Sequence, residues 1–367
     1  MAVLGVYCLP KSNSPPTDKK FGGSSVIGMS VRTGWAETEP EEGVYDFAYI
    51  DSVISAARVL NKKIMLRILA GKTSPLWIYD AGVQRIDYFN TNPNSPSFGE
   101  PRTSPNILDQ LYIDKWTNLV SVMGTRYSRE DRIDLIHMTG PCEGGELHFP
   151  LKTDTALWAS LGYTKDLIVD RWKQTIDAYN SVLPFHPLAL AVVNPHLDDG
   201  AKEEIADYAF LELGQRFHCQ GNYLAVTTNP SFEPYQLVSS FSPHTTTGFQ
   251  MLWSASNDPL NRMSGDLKGA IDVGLVAGVK YFEIYYKDII DPDLLDEIEY
   301  AATSVGAPVG LPSTLGDSPP ATLASVEYNN SILYGNNREY IEHTDRFGDR
   351  SVSVVVQAYS QSSRVPT

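Results

Sequence analysis

Short apolar runs recur along the first part of the chain, and segments with helical spacing separate most of them. Several runs alternate between apolar and polar positions; Ile27, Met29 and Val31 fall on one face of the second run. A period of two residues predicts a β-strand. The pattern predicts eight strands, near residues 3–9, 26–33, 63–70, 133–139, 188–193, 223–228, 249–254 and 280–286.

Helical segments alternate with these strands over residues 1–304. Alternation of this kind predicts an α/β fold with a parallel sheet, and eight units predict a closed (β/α)₈ TIM barrel. A doubly wound open sheet is the alternative. No GxGxxG or GxxxxGK[ST] sequence follows any of the strands, so nothing favours nucleotide binding.

The composition changes after the predicted barrel. Residues 305–320 are rich in proline and glycine and predict a linker, and residues 321–367 predict a small β-rich appendage with frequent turns. A segment this short has little core of its own. We therefore expect its apolar residues to pack on the barrel or on another copy, in a homo-oligomer or larger assembly. These residues are Val326, Ile332, Leu333, Val354 and Val356.

Composition and charge narrow the possible partners. The formal net charge of −15 argues against binding to nucleic acid or to an anionic membrane, both of which need basic patches. No signal-peptide pattern opens the chain and no apolar run approaches 18 residues, so we expect a soluble protein, cytoplasmic or part of a virion.

The seven histidines form no HxH or HExxH pattern, and the three cysteines form no CxxC pair. We expect no metal and no cofactor.

Polar side chains are expected inside the barrel near the carboxyl ends of its strands, where barrel enzymes keep their chemistry. The outer face of each strand meets helices and is apolar, which leaves the intervening positions facing inward. The expected ligand-binding residues from strands and strand ends are Arg32, Arg67, Asn194, Asn229, Gln250 and Tyr285, with Glu283 as an inward carboxylate. A purely structural Arg–Glu network is the alternative.

A glycine-rich turn, TGPCEGGELHFP at residues 139–150, follows the fourth strand. It carries Glu143 and Glu146, with His148 beside them, and glycine lets the backbone approach a ligand closely. Two carboxylates in different environments are what glycoside hydrolysis requires. We therefore interpret Glu146 and Glu283 as the candidate catalytic pair and Glu143 as a solvated loop residue.

Two loops complete the predicted site. Residues 71–106 form a long connection after the third strand, and such connections are often functional lids. Trp35 and Trp77 lie in loops that follow strands and are candidate platforms for a sugar ring. The expected ligand is a neutral or weakly charged glycan bound between this lid and the glycine-rich turn.

Part of the sequence resembles a known family. Residues 31–68, VRTGWAETEPEEGVYDFAYIDSVISAARVLNKKIMLRI, resemble β-galactosidase-like members of the large clan of (β/α)₈ glycoside hydrolases. SPLWIYDAG at residues 74–82 is similar to the Pro-x-Trp loop after the clan's third strand, and GGELH at residues 144–148 looks like its acid/base turn. The resemblance, over residues 26–290, implies a TIM barrel that acts on carbohydrate, with Glu146 as proton donor.

The sequence departs from the clan at two positions. Gly145 stands where the clan has an asparagine before its acid/base glutamate, and Gln250 lies on the seventh strand, which carries the clan's nucleophile. Either the strand count is wrong by one, or the pair is arranged differently, or catalysis is lost. An inactive glycan-binding or structural barrel, such as a phage surface component, is therefore the alternative function. Retention and inversion both stay open.

Overall fold

The computed structural model describes residues 3–90, 98–142, 144–147, 155–193, 200–231, 234–307, 342–344 and 350–352.

Within the described ranges, ten strands precede residue 307. They are β1 Gly5–Leu9, β2 Val26–Gly34, β3 Lys63–Leu69, β4 Arg85–Phe89, β5 Pro101–Pro105, β6 Ile133–His137, β7 Leu188–Val192, β8 Phe217–Leu224, β9 Thr246–Met251 and β10 Tyr281–Tyr285. All except β4 and β5 form one closed parallel barrel in the order β1-β2-β3-β6-β7-β8-β9-β10. The barrel closes through β1 and β10, with Gly5 opposite Tyr281. The predicted TIM barrel is confirmed and the open sheet is excluded.

Helices cover the outside of the barrel. The long helices α5 and α7 begin at capping residues: the side chain of Asp109 accepts from the amide of Leu111, and that of Thr164 accepts from the amide of Leu167. The helices are α1 Asp18–Phe21, α2 Trp35–Thr38, α3 Ala48–Val59, α4 Trp77–Asp80, α5 Gln110–Tyr127, α6 Thr155–Ser160, α7 Lys165–Val182, α8 Ala201–Leu213, α9 Tyr235–Phe241, α10 Leu267–Val276, α11 Tyr286–Ile289 and α12 Leu295–Ser304. Short 3₁₀ turns occupy Gly71–Thr73, Gly214–Arg216 and Pro292–Leu294. None of the described helices is long and apolar enough to cross a membrane.

The barrel interior changes character along its axis. Its amino-terminal part is filled by a small apolar cluster made of Val3, Tyr7, Met65, Leu135, Ala189 and Tyr281. The outward faces of the strands pack separately against the helices in the main core. Towards the carboxyl ends of the strands the interior becomes polar, as expected for the end that carries the chemistry of a TIM barrel.

The sixth and seventh barrel strands lie earlier in the chain than predicted. β8 begins at Phe217 rather than near residue 223, and β9 begins at Thr246 rather than near residue 249. The prediction followed apolar runs, whereas β8 places His218, Gln220 and Asn222 in the barrel as buried polar residues. Polar inward positions interrupt the apolar pattern, so the first residues of β8 were not predicted as strand.

The predicted lid contains regular structure of its own. Within residues 71–106, α4 is followed by the antiparallel hairpin of β4 and β5, in which Arg85 pairs with Pro105 and Phe89 with Pro101. The sequence predicted no strands here, because the many proline, asparagine and serine residues of this segment are typical of loops.

The chain divides into two compact units, residues 1–324 and residues 325–367. In the second unit, β11 (Glu342–Thr344) pairs antiparallel with β12 (Arg350–Val352). The apolar residues expected to dock this segment, from Val326 to Val356, lie outside the described residues. The domain boundaries, the docking of the appendage and the oligomeric assembly therefore stay predictions.

Candidate functional site

Glu283 on β10 lies in the barrel interior and is fully buried. Its Oε1 accepts from the Ser30 hydroxyl, and its Oε2 accepts from Gln220 Nε2 at 2.6 Å and from Arg67 Nη2 at 3.3 Å. Buried charge is tolerated when it is paired and hydrogen-bonded in this way. We refer to Ser30, Arg67, Gln220 and Glu283 as the Glu283 network.

Arg67 also contacts His137 on β6, whose Nδ1 lies 2.9 Å from Arg67 Nη2. A guanidinium only donates hydrogen bonds, so the ring nitrogen that it meets accepts. Burial, with the charge of Arg67, holds the pKa of His137 well below its ordinary value. The ring is therefore a neutral, hydrogen-bonded interior group at physiological pH.

Arg32 and Tyr285 lie nearer the mouth of the barrel than Ser30 and Glu283, the members of the Glu283 network on the same two strands. Arg32 is two residues beyond Ser30 on β2, and Tyr285 is two residues beyond Glu283 on β10. Residues two apart on a strand share a face and are about 6.6 Å apart along it. Arg32 Nη2 donates to the carbonyl of Pro10 at 2.5 Å, and Arg67 is the arginine that pairs with Glu283.

Glu146 lies at the rim of the barrel because the chain leaves β6 and then returns to it. The amide of Met138 donates to Ala189 of β7, and after an excursion the amide of Leu147 donates to Ala191, at 2.7 Å. Leu147 thus extends the fourth barrel strand and forms a parallel bridge with Val192. Glu146 immediately precedes this bridge and is partly exposed.

Two neighbouring side chains of β8 hold the Glu146 carboxylate. Asn222 Nδ2 donates to Oε1 at 2.8 Å, and the Tyr223 hydroxyl donates to Oε2 at 2.9 Å. Consecutive strand residues normally point to opposite faces. Here the register between β8 and β9 shifts between Gly221 and Leu224, and Tyr223 has a φ of +72°. This irregularity brings both side chains onto Glu146.

The two predicted carboxylates are joined by a continuous set of hydrogen bonds. Gln220 Nε2, which donates to Glu283, also lies 3.0 Å from Asn222 Oδ1, and Asn222 in turn donates to Glu146. Sequence reasoning missed Gln220, Asn222 and Tyr223. The alternation of polar residues in FHCQGNYL, residues 217–224, was the signal that would have revealed the first two.

Gly145 is required by the packing of Arg67. A Cβ at this position would lie 2.5 Å from Leu69 Cδ2 and 2.7 Å from Arg67 Cδ, both closer than real Cβ contacts allow. The asparagine that the clan carries here therefore does not fit while Arg67 occupies its position beneath the turn.

Gln250 confirms the strand count. It is buried on β9, the seventh barrel strand, and stands directly opposite Glu283 of β10 in the parallel register. The possibility that the count was wrong by one is excluded. The inward carboxylate next to Gln250 is therefore Glu283 of the eighth barrel strand, and the seventh strand carries an amide at the corresponding position.

Three further predicted binding residues, Trp35, Asn229 and Trp77, lie in the described part of the chain. Trp35 is fully buried, with its ring edge-on to Trp116 at 5.0 Å, so it is a core residue and not an open sugar platform. Asn229 lies five residues beyond the end of β8 and caps a turn by accepting from the amide of Ser231, because the strand ends earlier than predicted. Trp77 is half-buried, and its Nε1 donates to the carbonyl of Glu39. His148 and Asn194, like Glu143, lie outside the described residues.

An aromatic wall borders the site on the side of β9 and β10. The rings of Trp253 and Tyr285 are 5.7 Å apart, and the Arg262 guanidinium lies 3.8 Å from the centre of the Trp253 ring. The buried Asp288 fixes the loop after Trp253 by accepting from Ser254 Oγ at 2.6 Å and from two backbone amides. Burial raises the pKa of Tyr285, which keeps its hydroxyl protonated.

The arrangement is that of a (β/α)₈ barrel whose polar mouth contains one rim carboxylate above a buried one. Within the described residues no group of three or more His, Cys, Asp or Glu side chains is placed to hold a metal ion.

Comparison with known proteins agrees with a (β/α)₈ barrel of the glycoside hydrolase type. The family model of glycoside hydrolase 42, described as β-galactosidase, matches residues 25–149, about a third of the chain. This match confirms the resemblance to the β-galactosidase-like clan that residues 31–68 had indicated. No curated protein sequence gives a significant match.

Solved structures share the fold at low sequence identity. An exo-β-1,4-mannosidase from Opitutaceae bacterium strain TAV5 has a TM-score of 0.50 and 12% identity, over 82% of this chain and 60% of its own. A β-galactosidase from Bacillus circulans sp. alkalophilus has a TM-score of 0.53 and 13% identity, over 82% of this chain and 55% of its own. The present chain thus spans little more than half of either structure.

Proposed function

We propose that the protein is a glycoside hydrolase-like barrel that binds a carbohydrate at its mouth and cleaves a glycosidic bond, with Glu146 as the proton donor. The observation that carries this proposal is the rim carboxylate of Glu146, held on both oxygens by β8 and linked through Asn222 and Gln220 to the buried Glu283. The β-galactosidase family match and the names of the two structural neighbours support a carbohydrate as the substrate.

The contacts of Glu146 favour one of its oxygens as the proton carrier. The amide nitrogen of Asn222 can only donate, so Oε1 is best served as an unprotonated acceptor. The Tyr223 hydroxyl both donates and accepts, and it can rotate when a proton resides on Oε2. We therefore assign Oε2 as the atom that gives its proton to the leaving oxygen.

Glu283 is the ionised partner in this proposal, held by Arg67. Its oxygens already accept three hydrogen bonds and its side chain has no exposed surface. Direct attack on a sugar would require Ser30 or Gln220 to move away. We therefore assign it an electrostatic role, in which its charge and its contact with Gln220 stabilise positive charge developing at the sugar above. Water then adds to the anomeric carbon and gives its proton to the Glu146 carboxylate, which restores the proton donor.

The test uses aryl glycosides with good and poor leaving groups. Glu146→Gln keeps the shape of the side chain and removes the proton, so turnover of poor leaving groups should fall about 10²- to 10⁴-fold, with good leaving groups affected less and ligand binding retained. Glu283→Gln should reduce turnover for both kinds of substrate. It also leaves Arg67 buried without a carboxylate, so its rates should be measured where thermal melting shows the variant to be folded.

A second candidate function is carbohydrate binding without hydrolysis. It is favoured by the presence of Gln250 on the seventh strand and by the complete burial of Glu283. Wild-type protein that binds oligosaccharides in calorimetry but releases no sugar from a broad glycoside panel would establish this function and reject catalysis. Failure to bind any carbohydrate would reject both and leave a structural barrel.

A further inference from the structure

Arg32 has a guanidinium at the mouth of the barrel that forms no ion pair with any residue the structure describes. Its Nη2 donates to the carbonyl of Pro10, and its Nε is buried without a hydrogen-bond partner. Arg67, directly opposite Arg32 in the register of β2 and β3, pairs with Glu283 instead. A guanidinium carries five N–H donors and stays charged at any physiological pH. Among the described residues, most of the hydrogen-bonding capacity of Arg32 therefore has no partner.

The two nearby carboxylates are already bound by other groups. Glu283 accepts from Ser30, Gln220 and Arg67, and Glu146 accepts from Asn222 and Tyr223. Burial, followed by repulsion from Arg67, lowers the pKa of Arg32, whereas the charges of Glu283 and Glu146 raise it more weakly. An anion placed against Arg32 would offset the unfavourable burial of its charge.

We propose that Arg32 determines specificity for an anionic substituent of the carbohydrate, a carboxylate or a sulfate ester. This inference rests on the proposed binding of carbohydrate at the barrel mouth. A planar guanidinium matches both groups by paired N–H···O hydrogen bonds. Arg32 lies two residues beyond Ser30 towards the mouth of the barrel, where a sugar bound near Glu146 would meet its guanidinium.

The net charge of −15 does not oppose this assignment. At physiological ionic strength, exposed charges farther apart than about 8 Å are largely screened, so the bulk of the acidic surface acts weakly on a ligand in the mouth. The guanidinium of Arg32 therefore dominates the electrostatic interaction with a charged group bound beside it. The inference thereby sharpens the sequence-based expectation of a neutral or weakly charged glycan.

The experiment is calorimetric titration of the full chain with three matched thio-linked disaccharides, which resist hydrolysis. The three differ only in the terminal sugar, which is a uronic acid in the first, carries a sulfate ester in the second and is neutral in the third. Wild-type protein should bind at least one anionic disaccharide about 10- to 100-fold more tightly than the neutral one, as expected for hydrogen bonds to a charged group. The preferred anion identifies the source of the charge.

Three variants locate the effect. Arg32→Gln should abolish the preference, because it weakens binding of the anionic disaccharide far more than binding of the neutral one. Arg32→Lys, a point charge without the planar fork, should retain part of the preference. Arg58→Gln removes the same charge from α3, where Arg58 forms an ion pair with Glu130, and should leave the preference intact. Thermal melting establishes whether each variant is folded. If Arg32→Gln does not fold, the comparison is made with Arg32→Lys instead.

Two results would overturn the inference while sparing the proposed function: equal wild-type affinity for all three disaccharides, or an equal loss for all three in Arg32→Gln. Failure of wild-type protein to bind any of them or any other glycan would reject the proposed function itself.

Discussion

At the scale of single residues, the site depends on close packing between a glycine and a buried arginine. Gly145 lies over the side chain of Arg67, which must reach Glu283 and His137 at the same time. A side chain at position 145 would push Arg67 away from both partners. The glycine that departs from the clan's asparagine is therefore coupled to the inward arginine of β3.

Gly145→Ala should destabilise the protein by about 1–3 kcal/mol, because overpacking against a tethered side chain forces it off its rotamer. Gly144→Ala is the matched control, since its Cβ would meet nothing closer than Lys72 Cε at 3.6 Å. Urea unfolding of the two variants measures the difference. Equal stability of both alanine variants would show that Arg67 adapts freely.

At the scale of elements, β8 contributes more to the candidate site than any other strand. Gln220, Asn222 and Tyr223 all come from it, and the last two act together only because the strand is irregular at residue 223. A non-glycine residue in the left-handed region is unfavourable by about 1–3 kcal/mol and is often found at functional sites. The strain at Tyr223 is thus tied to the placement of its hydroxyl on Glu146.

Tyr223→Gly should be more stable than Tyr223→Ala by about 1 kcal/mol, because both lose the phenol and only glycine accepts the positive φ freely. The same pair at Thr246, in the regular part of β9, should show the opposite order, as glycine normally weakens a strand. Chemical denaturation of the four variants decides this. Alanine more stable than glycine at residue 223 would contradict the strained backbone.

At the scale of the whole molecule, the closed barrel keeps histidines away from water. Burial lowers the pKa of His218 on β8 to about 3 and holds that of His137 well below its ordinary value. In the unfolded chain both would titrate near pH 6.5. Between these pH values the unfolded chain binds more protons than the folded one, so acid favours unfolding.

The free energy of unfolding should therefore be highest above about pH 6.5 and should fall as the pH decreases towards 3, by about 1.4 kcal/mol per pH unit for each such histidine. His218→Gln should remove one histidine's share of this slope. Denaturant titrations at intervals between pH 7 and 4 measure it. An unchanged slope in the variant would mean that His218 takes up its proton equally in the folded and the unfolded protein, which would contradict its lowered pKa.

The sequence by itself determined the class of fold, the number of barrel strands and the inward direction of Arg67, Gln250 and Glu283. These follow from local periodicity, since a strand that packs against helices must be apolar on its outer face. The glycine-rich turn likewise indicated Glu146, because its composition is visible without knowledge of what surrounds it.

Only the tertiary structure decided which arginine pairs with Glu283, that Trp35 is core, and that Gln220, Asn222 and Tyr223 join the two carboxylates. Each of these depends on contacts between residues far apart in the chain, as between Glu146 and Asn222 or between Arg67 and Glu283. Periodicity assigns a side chain to a face of its strand. The barrel's closure and strand register select the groups it meets there, and a local bulge such as that at Tyr223 can overrule the periodicity itself.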